Sequence, residues 1–173
     1  MTPNLNLEQV KQKAFDLGFG YERDFRGCGQ CTLAAVYDAL DLPYDALFRS
    51  LSGLAGGAGM VRDGSCGAFM AGSLILGSLV GRERDDFKDQ AGRRFEAYRL
   101  VRELRQRFMD RLGAITCGTI HSSLFGRQFD LLDPEQMAEF DRLGGHSDKC
   151  PSVCGQCASW VVEIMAREGL LDR

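Results

Sequence analysis

The sequence predicts an all-α fold, a compact multi-helix single domain over residues 1–173 built around a central apolar helix from Cys66 to Val80. Apolar residues recur at helical spacing in successive segments, and no run alternates at the period of two that a half-buried strand requires. The stretch Ser65–Val80 is nearly uncharged and rich in small residues, so neighbours can pack on all its sides. Between segments stand the punctuation marks of helices, a cap residue or proline before and a glycine after.

Taken in order, Asn6 followed by Leu7, Val10, Ala14 and Leu17, with Gln9 three residues beyond the cap, predicts a first helix that ends at Gly18. A loop carrying Gly27-Cys28-Gly29-Gln30 leads to Cys31, which opens a second helix through Leu33, Val36, Tyr37 and Leu40. Leu42-Pro43 stops the chain, and Tyr44–Ser52 is expected as a short third helix. The glycine-rich loop Gly53–Gly64 is suited to positive φ and close backbone approach, and it delivers Cys66 to the mouth of the central helix. Gly67, Gly72 and Gly77 are expected to allow close helix contacts. Arg82–Leu112 reads as a long amphipathic helix, broken near Gly92, that packs across the central helix with one face wet. Its arginines are read as a solvated face laced with pairs such as Glu103 to Arg107, in preference to a surface for an anionic partner. Gly113 ends it. Cys117 then opens a short apolar turn, and if that turn is helical His121 shares its face and a metal. Asp133-Pro134 caps a further helix through Met137, Phe140 and Leu143, and a closing helix through Trp160, Val161, Ile164 and Met165 follows Cys150–Cys157.

Composition narrows the function. A net charge of −3 with a pI near 5.4 argues against generic nucleic-acid binding, and no segment is long and apolar enough to span a bilayer. The first residues carry neither a basic nor an apolar export region, so the cytoplasm is the expected compartment. In a reducing compartment, seven cysteines favour metal ligation or redox work over a disulfide framework. The most telling repeat is Cys28-Gly29-Gln30-Cys31, which recurs as Cys154-Gly155-Gln156-Cys157, each expected to open a helix. Two such pairs can hold one ion or cluster from opposite sides, as in zinc and iron–sulfur sites, or can cycle between dithiol and disulfide. Against this stands the ordinary reading of Cys66 and Cys117 as small buried core residues. A haem-attachment motif, a dinucleotide glycine fingerprint and a P-loop are all absent from the sequence.

The order of the sulfurs resembles the C_GCAxxG_C_C family of redox-active proteins, small helical proteins related to the non-haem part of split-Soret cytochromes. The resemblance runs from about Cys31 to Val162. Cys31 with its apolar helix looks like the first family cysteine, and Cys66-Gly67-Ala68 through Gly72, Gly77, Gly81 and Arg82 is similar to the central motif. Gly113–Cys117 with Gly126 resembles the third, and Cys157 followed by Trp160-Val161 the last. Ser65 and Ala71 depart from the motif but keep its residues small. Cys28, Cys150 and Cys154 look like additions to the four-cysteine pattern. The related cytochromes imply a homodimer.

These readings set the expectations. Cys31, Cys66, Cys117 and Cys157 are expected to converge, each opening a helix or turn where backbone N–H groups and the helix dipole favour a thiolate. The C-x₃-C-x₂-C spacing of Cys150, Cys154 and Cys157 resembles the loops that hold three corners of a cubane cluster in radical SAM enzymes, although the rest of the chain is unlike that fold. The function expected is therefore a cysteine-rich electron-transfer protein. Its cysteines would bind an iron–sulfur cluster, with N–H groups of Gly57, Gly59, Gly64 and Gly67 tuning it and a redox protein as partner. The alternatives are a thiol–disulfide oxidoreductase using the Cys28/Cys31 or Cys154/Cys157 pair, and a zinc-binding, non-enzymatic module.

Overall fold

The structure, a computed structural model, describes residues 6–43 and 46–171. Among these residues it is all-α. The helices are α1 (Leu7–Phe25), α2 (Cys28–Ala39), α3 (Ala46–Ser50), α4 (Gly67–Val80), α5 (Arg93–Leu112), α6 (Cys117–Phe125), α7 (Pro134–Arg142) and α8 (Cys150–Arg167). A 3₁₀ turn (Leu51–Leu54) extends α3, and a π-turn (Gly145–Lys149) leads into α8. The only strand-like pairing among the described residues is an isolated antiparallel bridge between Ser65 and Thr116. No helix among them is long and apolar enough to cross a membrane.

The expected caps are in place: Asn6 accepts the Glu8 N–H at 3.2 Å, and Asp133 accepts those of Glu135 and Gln136. The first helix nevertheless runs past Gly18 to Phe25. Gly18 is a crossing point, not a stop. A Cβ there would lie 2.9 Å from Gly155 Cα, so α1 and α8 meet backbone to backbone where neither has a side chain. Tyr44 and Asp45, the expected start of the third helix, lie outside the described residues.

Helix α4 is central, as its composition demands. It packs on α2, α5 and α8, and Ala68, Ala71, Ile75, Leu76 and Val80 are buried. A Cβ on Gly72 would lie 2.6 Å from Leu104 Cδ2, and one on Gly67 would lie 2.4 Å from Cys28 Sγ, so both glycines do permit close contact. Gly77 does not, since nothing lies within 4 Å of the place its Cβ would occupy. The Arg-rich segment becomes helical only at Arg93, because Gly92 adopts a left-handed conformation just before it. From there Leu100, Leu104 and Phe108 form the buried stripe, with the Phe108 ring edge-on to Phe69 (5.4 Å) and Trp160 (5.5 Å). Ion pairs lace the edge of that stripe and tie α5 to α8, including Arg107 with both Glu103 and Glu163 at 3.1 Å.

Helix α8 begins at Cys150, so Cys154 and Cys157 lie inside the helix and do not open it. Conversely, Cys28 is already helical, as the first residue of α2 behind Gly27. The two Cys-Gly-Gln-Cys segments therefore occupy different positions in their helices.

Candidate functional site

The segments before α4 and α6 are stitched together. Cys66 N–H donates to Ile115 O at 2.7 Å, and Cys117 N–H donates to Gly64 O at 2.9 Å, which sets the two cysteines at the heads of their helices side by side. The loop that precedes them is wound the wrong way for L-residues. Gly56, Gly57, Ala58, Gly59 and Met60 all have φ between +59° and +79°, and Arg62 follows at +69°. Each non-glycine residue held there costs about 1–2 kcal/mol, the kind of strain that collects at functional sites. The winding brings the Gly56 N–H onto the Cys28 sulfur.

The result is a cavity of about 180 Å³ onto which Cys28, Cys66, Cys117, Cys150 and Cys154 open, from α2, the heads of α4 and α6, and α8. The Cys28 sulfur lies against Gly67, the residue after Cys66, and Cys154 Sγ reaches Cys28 O at 3.7 Å. All seven cysteines are free thiols. An aromatic wall closes one side, where the His121 ring stacks on Phe140 (5.0 Å, 26°) and His146 meets it edge-on (5.0 Å, 80°). The shared face expected for Cys117 and His121 is present, with Sγ and Nε2 3.8 Å apart.

Cys31 and Cys157 turn elsewhere. Cys31 Sγ donates to Arg26 O at 3.1 Å; Cys157 Sγ donates to Ala68 O at 3.1 Å, deep between α8 and α4. In both Cys-Gly-Gln-Cys segments, then, the first cysteine faces the cavity and the second is held by a backbone carbonyl. Of the four cysteines expected to converge, Cys66 and Cys117 line this cavity, together with the three that looked like additions.

The glycines divide too. The Gly59 N–H is engaged by Gly53 O (2.8 Å) and the Gly64 N–H by Gly57 O (3.2 Å), inside the loop. Gly57 and Gly67 serve by being small: a Cβ on Gly57 would crowd Cys117 Cβ at 3.0 Å, and one on Gly67 would strike Cys28. The N–H that reaches sulfur belongs to Gly56, a residue that spacing alone did not single out.

Burial overrides the helix dipole in setting the thiols' acidity. It pushes the Cys117 thiol up to about 12, although that residue heads α6, and it raises Cys31, Cys150, Cys154 and Cys157. Cys28 is raised chiefly by the Cys66 thiol and then by burial. The expected thiolates at Cys31, Cys117 and Cys157 are therefore neutral thiols in the metal-free protein. Burial also lowers His121 to about 4, leaving its imidazole neutral, with a buried Nδ1 that has no partner.

Glu22 is a wall residue the sequence reading passed over, because it lies beyond the glycine expected to end the first helix. It occupies the buried stripe Val10, Ala14, Gly18, Glu22 of α1, where a charge among apolar and small residues at fourfold spacing was the available signal. Burial lifts its carboxyl to about 7.

Five thiols, an orphaned carboxylate oxygen and an orphaned imidazole nitrogen line one cavity. Among the described residues, no three Cys, His, Asp or Glu side chains are gathered tightly enough to hold a single metal ion. No curated protein and no solved structure matches the chain. Residues 27–164 do match a family model, that of the putative redox-active proteins named C_GCAxxG_C_C, and the chain belongs to that family.

Proposed function

We propose that the cysteine-lined cavity holds an iron–sulfur cluster and that the protein passes electrons to and from a redox partner protein. The observation that carries this reading is the ring of thiols delivered to one cavity by separate elements, Cys28, Cys66, Cys117, Cys150 and Cys154. A cluster spreads its terminal cysteines over several iron atoms, whereas a zinc ion draws four ligands to within about 2.3 Å of one point. When bound, a cluster supplies a low-barrier couple whose potential is set by charge, burial and hydrogen bonds to sulfur.

The chain's own residues perform the rest. Cys28 and Cys66 hold one side, Cys117 an adjacent one, and Cys150 and Cys154 the wall formed by α8. The Gly56 N–H directed at Cys28 stabilises negative charge on that sulfur. Phe140, Leu131 and Met137 exclude water from the aromatic side. Because the thiols are protonated in the metal-free cavity, loading releases protons and is favoured by rising pH.

The test is anaerobic purification and reconstitution with iron and sulfide, followed by iron and sulfide analysis and visible absorption. The expected product is coloured, holds both elements and bleaches on reduction with dithionite. Protein that stays colourless and free of sulfide overturns the cluster.

A second reading, thiol–disulfide exchange, has one specific observation in its favour: the Cys28 sulfur packs against Gly67, beside Cys66 on the same cavity, whereas Cys31 of its own C-x-x-C pair turns to Arg26 O. The Cys28 and Cys66 thiols would become one disulfide while a partner disulfide takes up the two electrons and two protons. Loss of two free thiols per chain on mild oxidation of the wild type, retained in Cys31→Ser and abolished in Cys66→Ser, is the result expected of this reading.

A further inference from the structure

Glu22 is in an unfavourable place for a carboxylate. It is 3% exposed, its Oε2 has no hydrogen-bond partner, and it lines the cavity that receives the thiols. A buried polar group without a partner is destabilising, and an unpaired charge more so. Glu22 also sits in the last turn of α1, at the end where the helix dipole disfavours a negative charge. Arg26 offsets this only in part, because burial outweighs it. Arg26 directs its guanidinium to Asp141 at 3.2 Å. The neighbouring Cys31 thiol commits its single proton to Arg26 O at 3.1 Å, so it does not satisfy the carboxylate.

A charge placed against both burial and the helix dipole makes sense when a cation shares its cavity. We propose that Glu22 is an oxygen ligand of the bound metal centre, its carboxylate closing on the α1 side the shell that the cavity cysteines form on the others. The inference rests on the cluster reading and adds to it a ligand that lies outside residues 27–164, the stretch matched to the family. Carboxylate oxygen is a hard ligand among soft sulfurs, so the iron it holds differs from the others in exchange and in spectroscopy. A ligand on a long side chain from a separate helix is also the one most readily displaced.

Glu22→Gln tests this, because the amide keeps the shape and removes the charge. Wild type and variant are reconstituted anaerobically in parallel. Reconstitution uses iron-57, and Mössbauer spectra report the balance of sulfur and oxygen ligands at the irons. The expected result is that metal-free Glu22→Gln melts at the same temperature as wild type or higher. After reconstitution it should hold less iron per sulfide and lose the signal of the oxygen-bound iron that wild type shows. Equal iron per sulfide and identical spectra, with wild type fully loaded, overturn the role of Glu22 and leave the cluster standing. A lowered melting temperature of the metal-free variant in step with lost binding makes Glu22 a structural residue and likewise overturns it. Wild type that takes up neither iron nor sulfide removes the cluster reading, and this inference with it.

Discussion

The two Cys-Gly-Gln-Cys segments, one at the head of α2 and one in the body of α8, are alike in sequence and alike in how they divide their sulfurs. Cys28 and Cys154 face the common cavity; Cys31 and Cys157 donate to the carbonyls of Arg26 and Ala68. Residues three apart on a helix are neighbours on its surface without pointing in one direction, so a C-x-x-C pair can serve two surroundings. Spacing thus identifies the pair but not which member does the chemistry. The central glycines differ. Gly155 is pressed against the backbone of α1, where a Cβ would come 2.5 Å from Phe15 O, whereas a Cβ on Gly29 meets nothing nearer than 3.3 Å.

That difference gives the largest effect expected in a stability experiment. Gly155→Ala forces two backbones apart and should cost about 3 kcal/mol, while Gly29→Ala, with a leucine side chain and one carbonyl to accommodate, should cost about 1 kcal/mol or less. Urea unfolding of the metal-free variants measures both. Equal losses would mean that the two segments are packed alike.

Close behind comes the pH dependence of the α1 side. Glu22 has its carboxyl raised from 4.5 to about 7 in the folded protein. The folded state therefore binds more protons than the unfolded state between those values, and stability falls as pH rises through that window, by about 3 kcal/mol in all. His121, lowered from 6.5 to about 4, acts oppositely and removes stability as pH falls through its own window. The difference in unfolding free energy between Glu22→Gln and wild type isolates the first effect. It should grow in favour of the variant from pH 4.5 to 7, and a flat difference would count against the buried carboxyl.

A smaller contrast separates the sulfurs along α4. Gly67→Ala drives a methyl into Cys28 Sγ and should impair metal uptake as well as costing about 2 kcal/mol; Gly72→Ala meets the buried side chains of Leu104 and Val161 and should cost about 1–2 kcal/mol with uptake retained. The smallest effect has the opposite sign. Gly77→Ala has open space, and helix propensity alone should add about 0.5–1 kcal/mol. Thermal melts of the three variants, with iron analysis after reconstitution, check the series.

Much of the fold was legible because it rests on local rules. The caps at Asn6 and Asp133, the stop at Gly113 and the apolar composition of α4 each specify their own structure without reference to distant parts. The errors came where a glycine answers to a partner far away in the chain. Gly18 has the composition of a helix end, but the approach of Gly155 makes it an interior crossing. At the site, the cysteines were evident as residues and their grouping was not. Which sulfur of a pair faces the cavity depends on helix rotation set by α1 against α8, and that same rotation brings in Glu22 from beyond the expected end of α1. The glycine loop was recognised as a close-approach element, but the left-handed winding that selects the Gly56 N–H is a property of the folded loop.

The division of labour within each Cys-Gly-Gln-Cys segment is tested most directly by the iron and sulfide bound per chain after anaerobic reconstitution of Cys28→Ala, Cys31→Ala, Cys154→Ala and Cys157→Ala. Loss of iron and sulfide in Cys28→Ala and Cys154→Ala, with Cys31→Ala and Cys157→Ala near wild type, is the predicted result. Full loading of Cys154→Ala together with an empty Cys157→Ala would contradict it.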